Sequence, residues 1–487
     1  MNYKSKNVKI IFIPVLFLKK ITYISFFVQN SVNAMNKIFC CVLGLLLMLP
    51  LLSNAKKHDK IAEYKETAEK IIKAALADSS SYHRLAYFTD LFGPRLSGSQ
   101  NLENALDWAY DQMIKDGMQN VRKDPVMVPH WVRGDEYCKL VTPWQRNMPM
   151  LGFGGSVGTP PEGITAPVIV VESKEELFER KDEIKGKIVC YNAPWQGYGK
   201  SVQFRFRGAI WAAQAGAIAG LCRSVSPKGM QLPHTGSMIY ADTVPKIPHA
   251  AITAEDAMLL ARLQQRGVTP EVTLYMEAKT LPDVQSYNLM CEYEGTRKPD
   301  EIIALGGHSD SWDAGTGAHD DASGCIAAWE AVKLLKDLGI ETNRTLRAVF
   351  WVNEENGIRG GKAYEEKYGE EPHALVFEFD SGVFPPSEIR YNGDENTFDI
   401  VKSFEPLLEM IDNIDVIKGG GGVDIRYMMQ RGIPAMSLNT DDQGKYFWYH
   451  HSDADTIDKI DPLDFQKCVA AIALSIYLYD QMIEVTF

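Results

Sequence analysis

Histidine and carboxylate side chains recur at the ends of apolar runs in the second half of this 487-residue chain. The runs IIALGG, LRAVFWVN and ALVFEF have the length of buried strands, and each is followed at once by His, Glu or Asp. Two further groups occur in AHDDASG, which opens a predicted helix, and in YHHSD near the C-terminus. The residues concerned are His308, Asp310, Asp320, Glu354, Glu355, Asp380, His450 and His451. One polar residue after a strand is common in surface loops, but three strands in succession indicate a site.

Imidazole and carboxylate groups without thiolates are the ligand set that suits Zn²⁺ or a similar divalent ion. Five such ligands, one of them a shared carboxylate, can hold two metal ions about 3.5–4 Å apart. Such a pair activates a water molecule for hydrolysis, and a carboxylate that is not a ligand is then needed to accept the proton of that water. The adjacent residues Glu354 and Glu355 could divide these two roles if the chain turns their side chains in different directions.

The order of the apolar runs predicts the elements that position these residues. From about residue 285 onward, runs of strand length alternate with helices, which predicts an α/β fold with a mostly parallel mixed sheet and helices on both faces. Ligands of such sheets bind at the carboxyl ends of the strands, where the histidines and acids lie. Residues 56–135 have helical periodicity and are expected to form the N-terminal part of the catalytic domain. The domain continues over residues 281–487 and is expected to close with a long amphipathic helix, Pro462–Met482.

Residues 136–280 differ in character from the segments on either side. Short β-like runs such as APVIVVES, GKIVCYN and EVTLYME are joined by connections rich in Gly and Pro. One Ala-rich helix candidate, GAIWAAQAGAIAG, lies among them. This part of the chain is therefore expected to form a distinct, β-rich unit.

The strings GGHSDSWDAGTGAHDDASG, NEENGIRGG, EFDSG and FWYHHSDADT resemble the motifs of the co-catalytic di-zinc exopeptidases of the aminopeptidase and glutamate carboxypeptidase type. They occur in the same order as in that family, and the resemblance extends back to GPRLSGS in the N-terminal part of the chain. It implies the zinc exopeptidase fold, with residues 136–280 as an inserted protease-associated (PA) domain that shapes the substrate cleft.

The resemblance also implies a ligand set for two zinc ions per chain. Carried over residue by residue, Asp320 would bridge both ions. His308 and Asp380 would complete one zinc site, and Glu355 and His451 would complete the other.

Further roles follow from the same resemblance. Glu354 is expected to be the general base, and Asp310 is expected to hold the second ring nitrogen of His308. The family has a cis peptide bond after the bridging aspartate, which here is the bond between Asp320 and the following residue. The spacing alone does not distinguish His450 from His451 as the metal ligand. The family pattern favours His451, which leaves for His450 either stabilisation of the oxyanion or a packing role.

The expected function is hydrolysis of short peptides or dipeptides by a metal-bridged hydroxide with a glutamate base. The alternatives are an aminopeptidase that acts on longer peptides and a catalytically inactive binding scaffold of the same fold. A carboxypeptidase needs a cation for the free carboxylate of its substrate. The candidates Arg359, Arg390, Arg426 and Lys445 have no position that the sequence can assign. A homodimer is compatible with the resemblance.

The first 55 residues contain six Lys and no acidic residue, whereas the whole chain has a net charge of −12. Residues 38–52 form an apolar core that is followed by Ser-Asn-Ala, which is typical of a secretory signal peptide, with Met35 as an alternative start. The protein is therefore expected to be secreted or periplasmic, with no stable membrane anchor. The acidic remainder argues against nucleic acid as a partner. Its six widely spaced cysteines are expected to be buried thiols, with room for one or two disulfides.

Overall fold

Two eight-stranded sheets build the protein, and the second is formed by residues that lie in sequence between two strands of the first. This is a computed structural model, and it describes residues 61–485. The predicted signal peptide at residues 1–55 lies outside the described residues. The chain from Lys65 onward forms one compact unit.

From Lys65 onward, three helices and one long strand precede the second sheet. They are α1 (Lys65–Ala77), α2 (Ser80–Phe92), α3 (Gln100–Lys115) and β1 (Gln119–Val132). The prediction that residues 56–135 are helical is wrong for β1, in which buried Val126 and Val128 flank exposed Met127 with the period of a strand. Because β1 is the edge strand of the first sheet, it tolerates Pro125 and Pro129, which cannot donate a hydrogen bond to a neighbouring strand.

The second sheet has the strand order β3-β2-β9-β5-β6-β7-β8-β4. Its strands and helices are β2 (Glu136–Thr142), β3 (Arg146–Met148), β4 (Met150–Gly152), β5 (Ile164–Val171), α4 (Lys174–Glu179), α5 (Lys181–Ile184), β6 (Ile188–Tyr191), α6 (Tyr198–Gln214), β7 (Ala219–Arg223), β8 (His249–Ile252), α7 (Ala254–Gln265) and β9 (Glu271–Met276). The segment expected to be β-rich is thus mixed α/β. The Ala-rich helix begins ten residues earlier than the sequence indicated, and its last predicted residues enter β7.

The first sheet has the strand order β1-β10-β12-β11-β13-β16-β14-β15. Its remaining strands, and the helices that connect them, are β10 (Lys279–Tyr293), β11 (Lys298–His308), α8 (Ser323–Asp337), β12 (Arg344–Trp351), α9 (Arg359–Tyr368), β13 (His373–Glu378), β14 (Pro386–Asn392), α10 (Glu395–Lys402), α11 (Glu405–Leu408), β15 (Asp415–Lys418), α12 (Arg426–Gln430), β16 (Ala435–Thr440), α13 (Tyr446–Tyr449) and α14 (Pro462–Met482). The predicted α/β fold with a mixed sheet is confirmed, and α14 has the predicted bounds.

The centre of the first sheet sets the position of the site. Strands β12, β11, β13 and β16 are neighbours and run parallel, so their carboxyl ends meet at one edge. Every residue of β12 and β13 is buried, because the sheet is covered on both faces. The predicted strand ends that carry histidine and acids therefore lie side by side.

The expectation of buried thiols is met in the described residues. Each of the six cysteines from Cys138 to Cys468 is buried and free, so the described part of the chain contains no disulfide. No helix within residues 61–485 combines the length and hydropathy needed to span a bilayer.

Candidate metal centre

His308 is the last residue of β11, and its ring is almost fully buried. Its Nε2 atom lies 3.1 Å from Oδ1 of Asp320 and 3.8 Å from Oδ1 of Asp380. Its Nδ1 atom lies 2.8 Å from the main-chain carbonyl oxygen of Asp310 and 3.8 Å from the carboxylate of the same residue. The hydrogen bond at Nδ1 therefore goes to the main chain of Asp310, not to its side chain. Since Nδ1 donates to this carbonyl, Nε2 is the ring atom that faces the two carboxylates.

Asp320 presents one carboxylate oxygen to each side of the site. Oδ1 faces His308, whereas Oδ2 lies 3.2 Å from Nε2 of His451 and 3.6 Å from Nε2 of His450. The loop that carries Asp320 is held by the buried carboxylate of Asp455, which accepts hydrogen bonds from the main-chain N–H groups of residues 318, 319 and 320 at 2.7–3.2 Å. Asp455 is a residue that sequence reasoning missed, although it lies inside the FWYHHSDADT string.

The neighbouring Asp321 also offers a ligand atom within 4.8 Å of those of His308 and Asp380. Its Oδ2 accepts the main-chain N–H of His308, and its Oδ1 accepts that of Gly324. The peptide bond between Asp320 and Asp321 is cis, as the resemblance implied. Main-chain hydrogen bonds thus engage both carboxylate oxygens of Asp321, whereas the carboxylate of Asp320 faces His308 and His451.

Glu354 and Glu355 follow β12 and take different surroundings. Oε2 of Glu355 lies 3.0 Å from Nε2 of His451, and the main-chain N–H of Glu354 donates to the carboxylate of Asp310 at 3.1 Å. Burial raises the pKa of Glu354 to about 8, and the negative charges of Glu355 and Asp320 act in the same direction. Of the two glutamates, Glu355 is the one whose carboxylate contacts His451.

The donor atoms fit a divalent cation. Oε1 of Glu355 and Oδ1 of Asp380 are buried without a hydrogen-bond partner, which is costly for an acceptor unless a cation satisfies it. Candidate ligand atoms of His308, Asp320 and Glu355 lie within 4.8 Å of one another, and so do those of Asp320, His450 and His451. Nitrogen and carboxylate oxygen without sulfur match the preference of zinc.

The two histidines of the C-terminal motif follow α13. Their rings stack with 3.6 Å between centroids, so both present Nε2 to Asp320. His451 has a φ of +60°, the left-handed region that a residue with a Cβ rarely adopts. Burial raises the cost of charge on these rings, but the charge of Glu355 and the hydrogen bond to Asp320 raise the pKa of His451 to about 10.

The second sheet also contributes to the site, through residues that no motif indicated. Arg205 of α6, together with His234 and Thr235 from the loop after β7, lies against His450 and His451. Tyr198 of α6 packs edge-on to His450, with 5.2 Å between ring centroids.

The cationic residues proposed from sequence as carboxylate binders are engaged elsewhere. Arg359 pairs with Asp283, and Arg390 pairs with Glu388. Arg426 donates to the hydroxyl of its neighbour Tyr427, and Lys445 donates to Gln443. None of these contacts joins them to the histidine and carboxylate cluster.

The fold and the cluster together are those of a metallo-exopeptidase, and residues 288–476 match peptidase family M28. This chain belongs to that family. It is 43% identical over 431 residues to carboxypeptidase Q of Mus musculus, which is 88% of this chain and 92% of that protein. Carboxypeptidase Q of Homo sapiens is 42% identical over 88% of this chain and 91% of its own length. The resemblance to the glutamate carboxypeptidase type is thereby confirmed.

Solved structures agree with this assignment. The peptidase M28 precursor from Shewanella amazonensis superposes with a TM-score of 0.83 at 31% identity, over 88% of this chain and 99% of that one. A zinc aminopeptidase from Bacillus subtilis superposes with a TM-score of 0.63 at 21% identity, over 82% of this chain and 94% of that one, and supports the fold alone.

Proposed function

We propose that this chain is an exported, zinc-dependent exopeptidase that hydrolyses short peptides, and dipeptides above all. The observation that carries the proposal is the carboxylate of Asp320, which directs Oδ1 at His308 and Oδ2 at His451. A carboxylate divided in this way between two sets of ligand atoms is suited to bridge two ions. The proposed sets are His308 with Asp380 on one side and Glu355 with His451 on the other.

Two zinc ions bound there would polarise the scissile carbonyl and make a water molecule nucleophilic at neutral pH. The carboxylates of this chain must therefore be ionised when the ions bind, and the two histidines must be neutral at Nε2. The hydrogen bond from Nδ1 of His308 to the carbonyl of Asp310 supports this, because it reserves Nε2 for the ion.

Glu354 is the proposed general base. Its main-chain N–H is anchored on the carboxylate of Asp310, and it adjoins Glu355 at the cluster. It would take the proton of the attacking water and deliver it to the amine that leaves. His450 would face the substrate and stabilise the oxyanion, and its Nε2 lies 3.6 Å from Oδ2 of Asp320.

Residues 136–280 are the proposed PA domain, and α6 provides one wall of the substrate cleft. Tyr198 stacks on Phe447 with 5.0 Å between ring centroids, and Trp195 packs against the same ring at 5.4 Å. These half-buried aromatic rings lie beside His450. A wall close to the cluster would favour short substrates, which agrees with the relation to carboxypeptidase Q.

The substrate class is tested with a panel of dipeptides and tripeptides that are unblocked, N-acetylated or C-amidated. We expect the unblocked dipeptides to be cleaved fastest and the C-amidated peptides to resist. Chelation should abolish turnover, and two equivalents of Zn²⁺ per chain should restore it. Cleavage of C-amidated peptides together with resistance of N-acetylated ones would instead identify an aminopeptidase.

Export is tested by sequencing the N-terminus of the mature protein. The Ser-Asn-Ala sequence after the apolar core supports cleavage before Lys56. We expect the protein outside the cytoplasm to begin there. Recovery of the intact N-terminus in the cytoplasm alone would contradict the proposal.

A further inference from the structure

Two consecutive residues of the loop after β7 hold both peptide groups that flank His451. Nδ1 of His234 donates to the main-chain carbonyl of His450 at 2.7 Å, which is the carbonyl of the peptide bond between His450 and His451. The main-chain N–H of Thr235 donates to the carbonyl of His451 at 2.8 Å. The first contact fixes the peptide plane before the Cα atom of His451, and the second fixes the plane after it.

The same loop holds the ring of His451. Nδ1 of His451 lies 3.3 Å from the main-chain carbonyl oxygen of Thr235 and 3.3 Å from Nη1 of Arg205. With Nε2 as the zinc ligand, Nδ1 carries the proton and the carbonyl of Thr235 accepts it. Arg205 donates to the same carbonyl at 3.2 Å, and it packs where Gly236 leaves room. A Cβ atom at Gly236 would lie 2.2 Å from the guanidinium, so the glycine is needed for this approach.

These contacts explain how two neighbouring residues present their rings to one carboxylate. In an extended chain, consecutive side chains point to opposite faces. At a φ of +60°, His451 departs from that pattern, and its ring stacks on that of His450. The left-handed conformation is unfavourable for a residue with a Cβ, and it persists only where the surroundings hold it.

We propose that His234 and Thr235 are positioning residues that hold His451 in its left-handed conformation. Both belong to the segment that forms the second sheet, and through His451 they complete the zinc site of Glu355 and His451. The inference rests on the proposed role of His451 as a zinc ligand. It adds that the segment from 136 to 280 helps to build the metal centre besides shaping the cleft.

Two amide substitutions at His234 distinguish the effect of its hydrogen bond from the effect of its side-chain size. In His234→Asn, the amide nitrogen takes the place of Nδ1 and retains the bond to the carbonyl of His450. In His234→Gln, the amide nitrogen takes the place of Nε2 and cannot reach that carbonyl. Burial lowers the pKa of His234 to about 4, so neither substitution changes the charge near neutral pH.

The measurement is zinc affinity of the full-length metal-depleted protein, titrated against a chromogenic chelator. We expect His234→Gln to weaken the second zinc equivalent by roughly 10- to 100-fold, as loss of an orienting hydrogen bond does at other metal sites, and to leave the first unchanged. His234→Asn should bind both equivalents as the wild type does. Titration with Co²⁺ should show an altered visible spectrum for the second equivalent of the Gln variant alone.

His249 is the matched control, because it is another fully buried histidine of the same segment, and its Nε2 bonds to the main-chain carbonyl of Phe204. His249→Asn removes that bond without touching the C-terminal motif, so it should leave both zinc affinities unchanged even if it lowers Tm. Equal zinc loss in His234→Gln and His249→Asn would overturn the inference, as would wild-type zinc affinity in a folded His234→Gln protein.

A second variant covers failure of His234→Gln to fold. Gly236→Ala would place a Cβ atom against the guanidinium of Arg205, which donates to the carbonyl of Thr235 that faces the ring of His451. Gly236→Ala should weaken the second zinc equivalent in the same direction, and an unchanged affinity in the folded variant would overturn the inference. If the wild type itself binds fewer than two zinc ions, the proposed function fails and the inference fails with it.

Discussion

His373 couples the stability of the first sheet to pH. It begins β13, and both ring nitrogens are engaged as in the neutral form. Nδ1 donates to the carbonyl of Glu371 at 3.1 Å, and Nε2 accepts the hydroxyl of Tyr364 at 2.8 Å. Burial, with the nearby charge of Arg347, lowers the pKa of His373 to about 4.

The direction and the size of the effect follow from this pKa. In the unfolded chain a histidine has a pKa near 6.5, so below that pH the unfolded state binds a proton that the native state refuses. The contribution of His373 to stability is therefore complete above pH 6.5 and is lost as the pH falls toward 4. At pH 5 the loss is about 2 kcal/mol of the free energy of unfolding.

His373→Gln removes the titrating group, so the difference in unfolding free energy between pH 8 and pH 5 should be about 2 kcal/mol smaller than in the wild type. Urea unfolding, followed by tryptophan fluorescence, measures this difference. Chelator is present throughout, so that loss of metal at low pH does not contribute. His83→Gln, at an exposed histidine, is the control and should retain the pH dependence of the wild type. The same pH dependence in all three proteins would refute the reasoning.

Three further outcomes are expected. Glu354→Gln should retain zinc but lose roughly 10²- to 10⁴-fold in kcat, because it removes a general base. Steady-state kinetics and metal analysis by mass spectrometry measure the two effects, and retained turnover would show that the assignment is wrong. Glu355→Gln should instead lose one zinc per chain along with activity, and two tightly bound zincs would contradict its role as a ligand. Gly154→Ala should lower the free energy of unfolding by about 1–3 kcal/mol, because its Cβ would lie 1.9 Å from the ring of Trp312. Gly199→Ala, which meets nothing within 4 Å, is its control in thermal unfolding and should be close to neutral.

The amino-acid sequence was sufficient to predict those site residues whose position follows from their place on a strand. The apolar runs before His308, Glu354 and Asp380 predicted three strands, and parallel order brings their carboxyl ends to one edge. The alternation of runs and helices predicted the α/β class for the same reason. The first sheet's edge strand was read as helix, since its period-two burial is interrupted by prolines that only an edge strand accepts.

The groups that hold the histidines of the site by hydrogen bonds could not be predicted in this way. The acceptor for Nδ1 of His308 is a main-chain carbonyl, and every residue type has one, so its choice depends on the path of the loop. His234 and Thr235 lie more than two hundred residues before the histidines that they hold, in a segment whose sequence shows no metal motif. Contacts between residues so far apart in the sequence depend on how the two sheets pack together. They produce no periodic pattern in the sequence.

Strands β1 and β10 pair antiparallel from Gln119 with Glu292 to Val132 with Lys279, with two register shifts on the way. The chain between these last two residues builds the whole second sheet. In topological terms that segment is the loop of a β-hairpin. Its ends are one strand spacing apart, about 5 Å, a distance that a two-residue turn closes. A gene for a smaller peptidase could thus have gained or exchanged this segment without any change in strand order. After such an exchange, the new segment would have to supply its own support for His451.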